Sequence, residues 1–384
     1  MASKRILIMD NFVHRNFGGG QVFSNWLFKR LSECEKYKVS KLDMDSIRNE
    51  RMRLITKLLE QILKRLERHS SRSKLIGVLE SILKGFDETI NLQLQARLVK
   101  GNAFDIVISN DFRDLWILNK AKLKFQKLLV ITHNPEIKRY LSNQDGKRLV
   151  RKFFDTSYLI RKIAETEPTL FVTINSTQEA LIKQHLSASV MTIPLGVEIN
   201  KYMPGKVVSV EKNVVFVGRL FEEQKRLSHL IKEFARFSEP DWHFFILGAG
   251  PDGESYARLI ESLGMTSRIT LTGFIEETEK IELLQKSRML LSSANNEGLP
   301  YSYLEALACG LPVLALRNDG ANAVIRSGFN GFIFDELSPL MEKVKEIMLD
   351  DVLFSKLSEN ARKDAVLKYD ENEIFKKYIS TIES

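Results

Sequence analysis

Cysteine is nearly absent: the 384 residues include only Cys34 and Cys309, far apart and with no C-x-x-C. That excludes a disulfide scaffold and a cysteine zinc site, and it fits a reducing compartment. Long apolar runs are also missing. No stretch approaches the roughly 20 apolar residues of a membrane span. The first run, Ile6 to Met9, is cut off by Asp10. It is too short for a signal-peptide core and reads as a first buried strand. Outside one segment, neither sign of charge dominates. Residues 48–84 hold ten Lys or Arg against four Glu, and the remainder holds 47 against 45, so the net +8 is chiefly a property of that segment. What is present, 44% apolar residues with mixed charge over this length, describes a soluble globular protein with material for two cores.

Short apolar strands alternate with helical stretches through most of the chain. Strands are expected at 5–9, 37–42, 105–109, 127–132, 170–174 and 190–193. After the turn residues Tyr202-Met-Pro-Gly-Lys the alternation restarts, with strands at 213–217, 243–247, 269–271, 289–293, 312–316 and 331–334. Three helical segments, roughly 336–349, 353–367 and 371–382, close the chain. Strands alternating with helices imply parallel sheets with right-handed crossovers. The expectation is an α/β protein of two Rossmann-like halves joined near residue 200.

In open α/β sheets, ligands meet the carboxyl ends of strands, and the chemistry-bearing residues of this sequence gather there. Gly18-Gly19-Gly20 lies between the first strand and a helix expected over Gln21–Leu31, where the backbone can approach a ligand closely or simply turn. Asp43-Met-Asp45 can be read as a metal pair, although two aspartates at a strand end more often cap or turn. His133 ends the 127–132 strand, just before Pro135; it is either a satisfied core histidine or a site residue. Gly218-Arg219-Leu220 ends the first strand of the second half. With Lys225 six residues after Arg219, near an expected helix start at about 225, the pair could hold a diphosphate, Arg219 by its planar fork and Lys225 as a point charge. Gly248-Ala-Gly-Pro-Asp-Gly253 matches G-x-G-x-x-G, yet it follows the second strand of its half and not the first, which argues against a dinucleotide. Finally, Glu297-Gly298-Leu299-Pro300-Tyr301-Ser302 opens a helix expected over Tyr301–Cys309, stopped by Gly310 and Pro312. Glu305 follows Glu297 at eight positions. The helix start can bind anionic oxygens, and a carboxylate beside it can accept hydroxyls.

Residues 50–69 form an amphipathic helix on paper, with Met52, Ile55, Leu58, Leu59, Ile62, Leu63 and Leu66 in one stripe and Lys57, Lys64, Arg65 and Arg68 around it. The two readings are a helix on the sheet with a solvated face and a surface for anionic lipid head groups; the concentrated charge favours the second. No aromatic interleaving or nucleic-acid motif supports a nucleic-acid partner.

Taken together, Glu297-x7-Glu305 within EGLP…LEALACGLPV, Gly218-Arg219-Leu220 with Lys225, Gly248-x-Gly-Pro, the glycine loop and Ile193-Pro-Leu-Gly-Val-Glu198 resemble the GT-B-fold retaining glycosyltransferases. This is the family 4-like, group 1 assemblage that includes bacterial mannosyl- and glucosyltransferases and sucrose synthases. The resemblance covers 213–335 well. In the first half it is carried only by the glycine loop, His133 and the linker. Leu195 and Glu198 stand where Asn and Asp are commoner.

The resemblance implies an acceptor-binding domain at 1–198, a nucleotide-sugar domain at 199–366, and a final helix, 367–384, packing back on the first. It implies that Glu305 binds ribose, Arg219 and Lys225 neutralise the diphosphate, and Gly218, Gly298, Leu299, Pro300 and Ser302 meet donor sugar and phosphates. Glu297 holds the sugar, Gly19 and Gly20 approach the diphosphate, and His133 sits beside the transferred sugar. The expected reaction is metal-independent, cofactor-free and retaining, from a UDP- or GDP-sugar to a glycan or lipid-linked hydroxyl acceptor. The expected location is the cytoplasm, with a peripheral membrane contact through 48–84. The alternatives are another nucleotide-sugar enzyme of the same fold, an epimerase or phosphorylase, and a non-catalytic partner subunit.

Overall fold

The computed structural model describes residues 3–10, 19–43, 95–110, 112–133, 156–164, 169–205 and 212–384. The basic segment 48–84, Gly18, Asp45 and Pro135 lie outside the described residues. The chain divides into two compact units. The first contains residues up to 173 and 178–192; the second contains 174–177 and 193–384. The limit of 198 read from the sequence thus falls inside the second unit. Burial is the reason: Ile193, Leu195 and Val197 are all buried, and Val197 exchanges backbone hydrogen bonds with Tyr369 and Glu371. The helix Glu371–Glu383 groups with the second unit as well.

All twelve expected strands are present, six in each sheet, and every pairing is parallel. The first sheet runs β2-β1-β3-β4-β5-β6, with β1 at Lys4–Asp10, β2 at Tyr37–Asp43, β3 at Ala103–Ser109, β4 at Lys124–Thr132, β5 at Thr169–Thr173 and β6 at Ser189–Thr192. The second runs β12-β11-β10-β7-β8-β9, with β7 at Asn213–Val217, β8 at His243–Leu247, β9 at Ile269–Gly273, β10 at Met289–Ser292, β11 at Val313–Leu316 and β12 at Gly331–Phe334. Interior strands β10 and β11 are buried at every position, whereas edge strand β9 is buried only at its first residue. Strands covered on both faces read as continuous apolar runs, which is why they are visible in the sequence. The second core is built around Trp242, Phe216, Phe234 and Phe244, and the first around Val107, Leu115, Phe171 and Ile182.

Each sheet has one place where consecutive strands depart in opposite directions. In the first it lies between β1 and β3, in the second between β7 and β10. A crevice opens there at the strand carboxyl ends. No helix among the described residues is long and apolar enough to cross a membrane.

Two helices differ from the sequence expectation. The first begins at Gly19 and runs Gly19–Ser32, so Gly19 and Gly20 form its first turn instead of a preceding loop. The stretch expected to be one helix from about 225 is two, Glu222–Lys225 and Leu227–Phe234, broken where Arg226 adopts φ 52°. Lys225 therefore ends a single turn and does not start a helix.

Candidate functional site

The loops after β7 and β10 meet at the reversal point of the second sheet. Gly218 and Arg219 follow β7. Gly218 lacks a Cβ where one would sit 3.5 Å from the Lys225 ammonium, so the strand end and the cation lie side by side. The one-turn helix carrying Lys225 is braced from several directions. Asp252 accepts the Glu222 N–H at 2.8 Å, and Glu222 accepts from the Tyr256 hydroxyl at 2.8 Å and the Ser228 N–H at 3.1 Å. The loop after β10 is laced to the same helix. The Ser293 hydroxyl lies 2.7 Å from the Lys225 carbonyl, Asn295 donates to Glu223 O at 3.0 Å, and Gln224 donates to Asn296 O at 2.9 Å. The result places the Glu297 carboxylate on the Lys225 ammonium as a largely buried ion pair.

Arg219 behaves differently. Its side chain is exposed, its guanidinium lies 5.4 Å from the Phe221 ring, and it makes no ion pair among the described residues. One of the two expected cations is thus already engaged and the other is open.

The G-x-G-x-x-G match is explained by packing. A Cβ on Gly248, at φ +134°, would sit 2.0 Å from Gly218 O, and one on Gly250 would sit 2.2 Å from Leu220 O. Leu220 N–H donates to Ala249 O at 3.0 Å. The glycines let the β8 loop lie directly on the Gly218–Leu220 backbone, and Asp252 in the same loop holds the Lys225 turn.

The signature helix is Tyr301–Ala308, with Pro300 before it and Gly310, at φ 77°, after it. Pro300 offers no capping side chain, so the first-turn N–H groups near Ser302 keep their affinity for anions. Gly298 and Leu299 are buried. Gly298 O accepts from Asn175 Nδ2 at 2.9 Å, and Gly320 N–H donates to Glu297 O at 2.7 Å. Asn175 precedes the helix Ser176–His185, and its amide reaches the loop that carries Glu297 and Gly298.

Glu305 is held apart from Glu297, in its own cluster. Its Oε1 accepts from Lys280 Nζ at 2.8 Å and lies 3.0 Å from the Tyr202 hydroxyl. That hydroxyl also lies 2.7 Å from Glu277 Oε1, and Lys201 pairs with Glu277. Burial, then the charge of Glu305, push the Tyr202 phenol far above its ordinary range, so it keeps its proton. Burial opposes ionisation of Glu277, but the hydrogen bonds from Lys201 and Tyr202 outweigh it and hold its carboxyl below the ordinary value. Lys280 and Tyr202 carry no sequence signal of this role, being 25 and 103 positions from Glu305.

The first unit gathers a separate set. His133 ends β4, its ring 4.6 Å from Phe23 and its Nε2 3.4 Å from Asn110 Oδ1. Asn110 Nδ2 donates to Met9 O at 3.2 Å, which leaves Oδ1 as acceptor and places the histidine proton on Nε2. Burial pushes the imidazole down to about 3, so it is neutral. The helix opened by Gly19 and Gly20 brings Phe23 and Ser24 against this cluster. Asp43 lies 3.7 Å from Lys41, which also pairs with Asp10 at 3.2 Å.

Residues 204–364 match the family model described as Glycosyl transferases group 1. The chain is 30% identical over 149 residues to alpha-monoglucosyldiacylglycerol synthase of Acholeplasma laidlawii, which covers 38% of this chain and 37% of that one. The first curated relatives it matches are covered over 37% to 55% of their own length. The sucrose-phosphate synthase structure from Thermosynechococcus elongatus superposes with a TM-score of 0.72 at 14% identity, over 99% of this chain and 98% of that one. The structure of Anabaena HepE in complex with UDP and glucose gives 0.67 at 18%, over 99% of both. At these identities the structures report the fold, and both sheets are included. Residues 204–364 are thus similar to the group 1 glycosyl transferases, and the chain is built on the two-sheet GT-B fold of these structures.

Proposed function

We propose that this protein is a retaining glycosyltransferase that moves a sugar from a UDP- or GDP-sugar to a hydroxyl acceptor. One observation carries the reading. An exposed arginine that makes no ion pair among the described residues, Arg219, stands at the reversal point of the second sheet, beside a lysine, Lys225, whose ammonium lies against Gly218. A nucleoside diphosphate is the leaving group that such a site suits. Its developing charge needs cations fixed in advance, and Arg219, Lys225 and the first turn of Tyr301–Ala308 supply them without a divalent ion. Glu297, paired with Lys225, is placed to hold the sugar, and Glu305 to hold the ribose.

The acceptor hydroxyl would attack the anomeric carbon from the face that the diphosphate leaves. The carbon–oxygen bond to phosphate breaks as the new glycosidic bond forms, and a departing phosphate oxygen takes the acceptor proton. Retention then needs no protein base, in keeping with a His133 and a Glu297 held in fixed contacts. The acceptor is taken to bind the first unit. A lipid-linked or surface-glycan acceptor is favoured by the basic segment and by the glycolipid in the name of the Acholeplasma relative.

The test is release of nucleoside diphosphate from a panel of UDP- and GDP-sugars. Arg219→Ala should lower turnover about 100-fold or more, the scale for losing a group aimed at developing charge, with an unchanged melting temperature. Wild-type turnover in that variant would refute the diphosphate assignment, and loss of activity in EDTA would refute metal independence.

A further inference from the structure

Glu305 has two oxygens, and the structure treats them unequally. Lys280 and Tyr202 converge on Oε1, at 2.8 Å and 3.0 Å. Among the described residues, none donates to Oε2. The Lys280 ammonium also lies 5.1 Å from the centre of the Tyr202 ring, so the two donors support each other as well as the carboxylate. Tyr202 is itself fixed at both ends. The residue is 3% exposed, its hydroxyl lies 2.7 Å from Glu277, and its carbonyl accepts from Arg362 Nη1 at 2.7 Å. Arg362 reaches Ile199 O at 3.1 Å and Ala308 O at 2.7 Å too, joining this stretch to the end of the helix that carries Glu305. Lys280 donates to Oε1 outright, while the Tyr202 hydroxyl shares its single proton between Glu305 Oε1 at 3.0 Å and Glu277 Oε1 at 2.7 Å, so both contacts orient the Glu305 carboxylate by the same oxygen and turn Oε2 away from them.

Resting on the donor reading above, we propose that Tyr202 and Lys280 are positioning residues. They clamp Oε1 of Glu305 so that Oε2 meets the ribose hydroxyls, and they thereby set the preference for a nucleotide with an intact 2′,3′-diol. Neither residue touches the donor in this arrangement; both act through Glu305. The alternative, that the cluster only stabilises the fold, predicts weaker binding of every nucleotide alike.

The two readings separate in a titration of wild type, Tyr202→Phe, Lys280→Met and Lys280→Arg with UDP, GDP and their 2′,3′-dideoxy forms. Wild type should prefer the better diol nucleotide over its dideoxy form by roughly 10- to 100-fold, the scale of a hydrogen bond to a charged group. Tyr202→Phe and Lys280→Met should cut that ratio below about threefold by weakening the diol form alone, and Lys280→Arg should restore most of it. Equal weakening of both forms, or a ratio that does not move, overturns the proposal. Lys280→Met keeps the test open if Tyr202→Phe folds poorly, because Lys280 is partly exposed. A wild type that binds UDP or GDP with no diol preference refutes the ribose role of Glu305, and with it the clamp. A wild type that binds neither refutes the donor reading itself.

Discussion

His133 shows how a single residue links position to pH. Its folded imidazole is held near 3 by burial, whereas an unfolded histidine titrates near 6.5. Between those values the unfolded chain binds a proton that the folded one does not, so folding stability falls as pH drops from about 6.5 toward 3. Above 6.5 the residue contributes no pH dependence. Urea unfolding at pH 7 and pH 5 should show wild type losing roughly 2 kcal/mol more than His133→Gln over that interval. Equal losses in the two proteins would mean that the imidazole is not shielded. The sequence could place His133 at a strand end because Val130, Ile131 and Thr132 lead into it. It could not show Asn110, which follows β3 and decides the tautomer, or Phe23, which packs on the ring from the first helix.

Among elements, the loop after β8 is the least replaceable. Gly250 lies against Leu220 backbone, where an added methyl would come within 2.2 Å of the carbonyl oxygen and 2.6 Å of the nitrogen. Gly250→Ala should cost on the order of 1–3 kcal/mol in urea unfolding, the range for overpacking. It should also weaken nucleoside diphosphate binding, since Gly218 and the Lys225 turn rest on the same loop. A variant that folds and binds like wild type would show that the loop can yield. The strands were legible because each is an apolar run between turn signals, and the Glu297–Glu305 helix because Gly310 and Pro312 stop it. The break at Arg226 was not legible, since arginine is an ordinary helix former and nothing local demands φ 52° there. Tertiary hydrogen bonds impose it: Ser293 Oγ sits 2.7 Å from Lys225 O and 3.0 Å from Arg226 O. The partners of Glu305 were hidden for the same reason, because Tyr202 looks like part of a Pro-Gly linker until its ring is seen buried.

At the scale of the whole chain, the two units have separate cores and can be followed separately. Trp242 is fully buried in the second unit, while Trp26 and Trp116 belong to the first. With Trp26 and Trp116 replaced by Phe, fluorescence melting reports the second unit alone. A nucleoside diphosphate at 100 times its Kd stabilises its site by about 2.7 kcal/mol, so the Trp242 midpoint should rise by roughly 5–10 °C for a unit of this size. The complementary Trp242→Phe protein should show a smaller rise. A larger rise there would relocate the nucleotide to the first unit. The ion pair between Lys225 and Glu297 bears on how such a protein behaves in a crowded ionic milieu. Because the lysine already has a carboxylate partner, Arg219 is the cation of the two that has no ion pair among the described residues. If Glu297 and Glu305 hold sugar and ribose as proposed, inorganic phosphate, which carries neither, should compete only weakly with the complete donor.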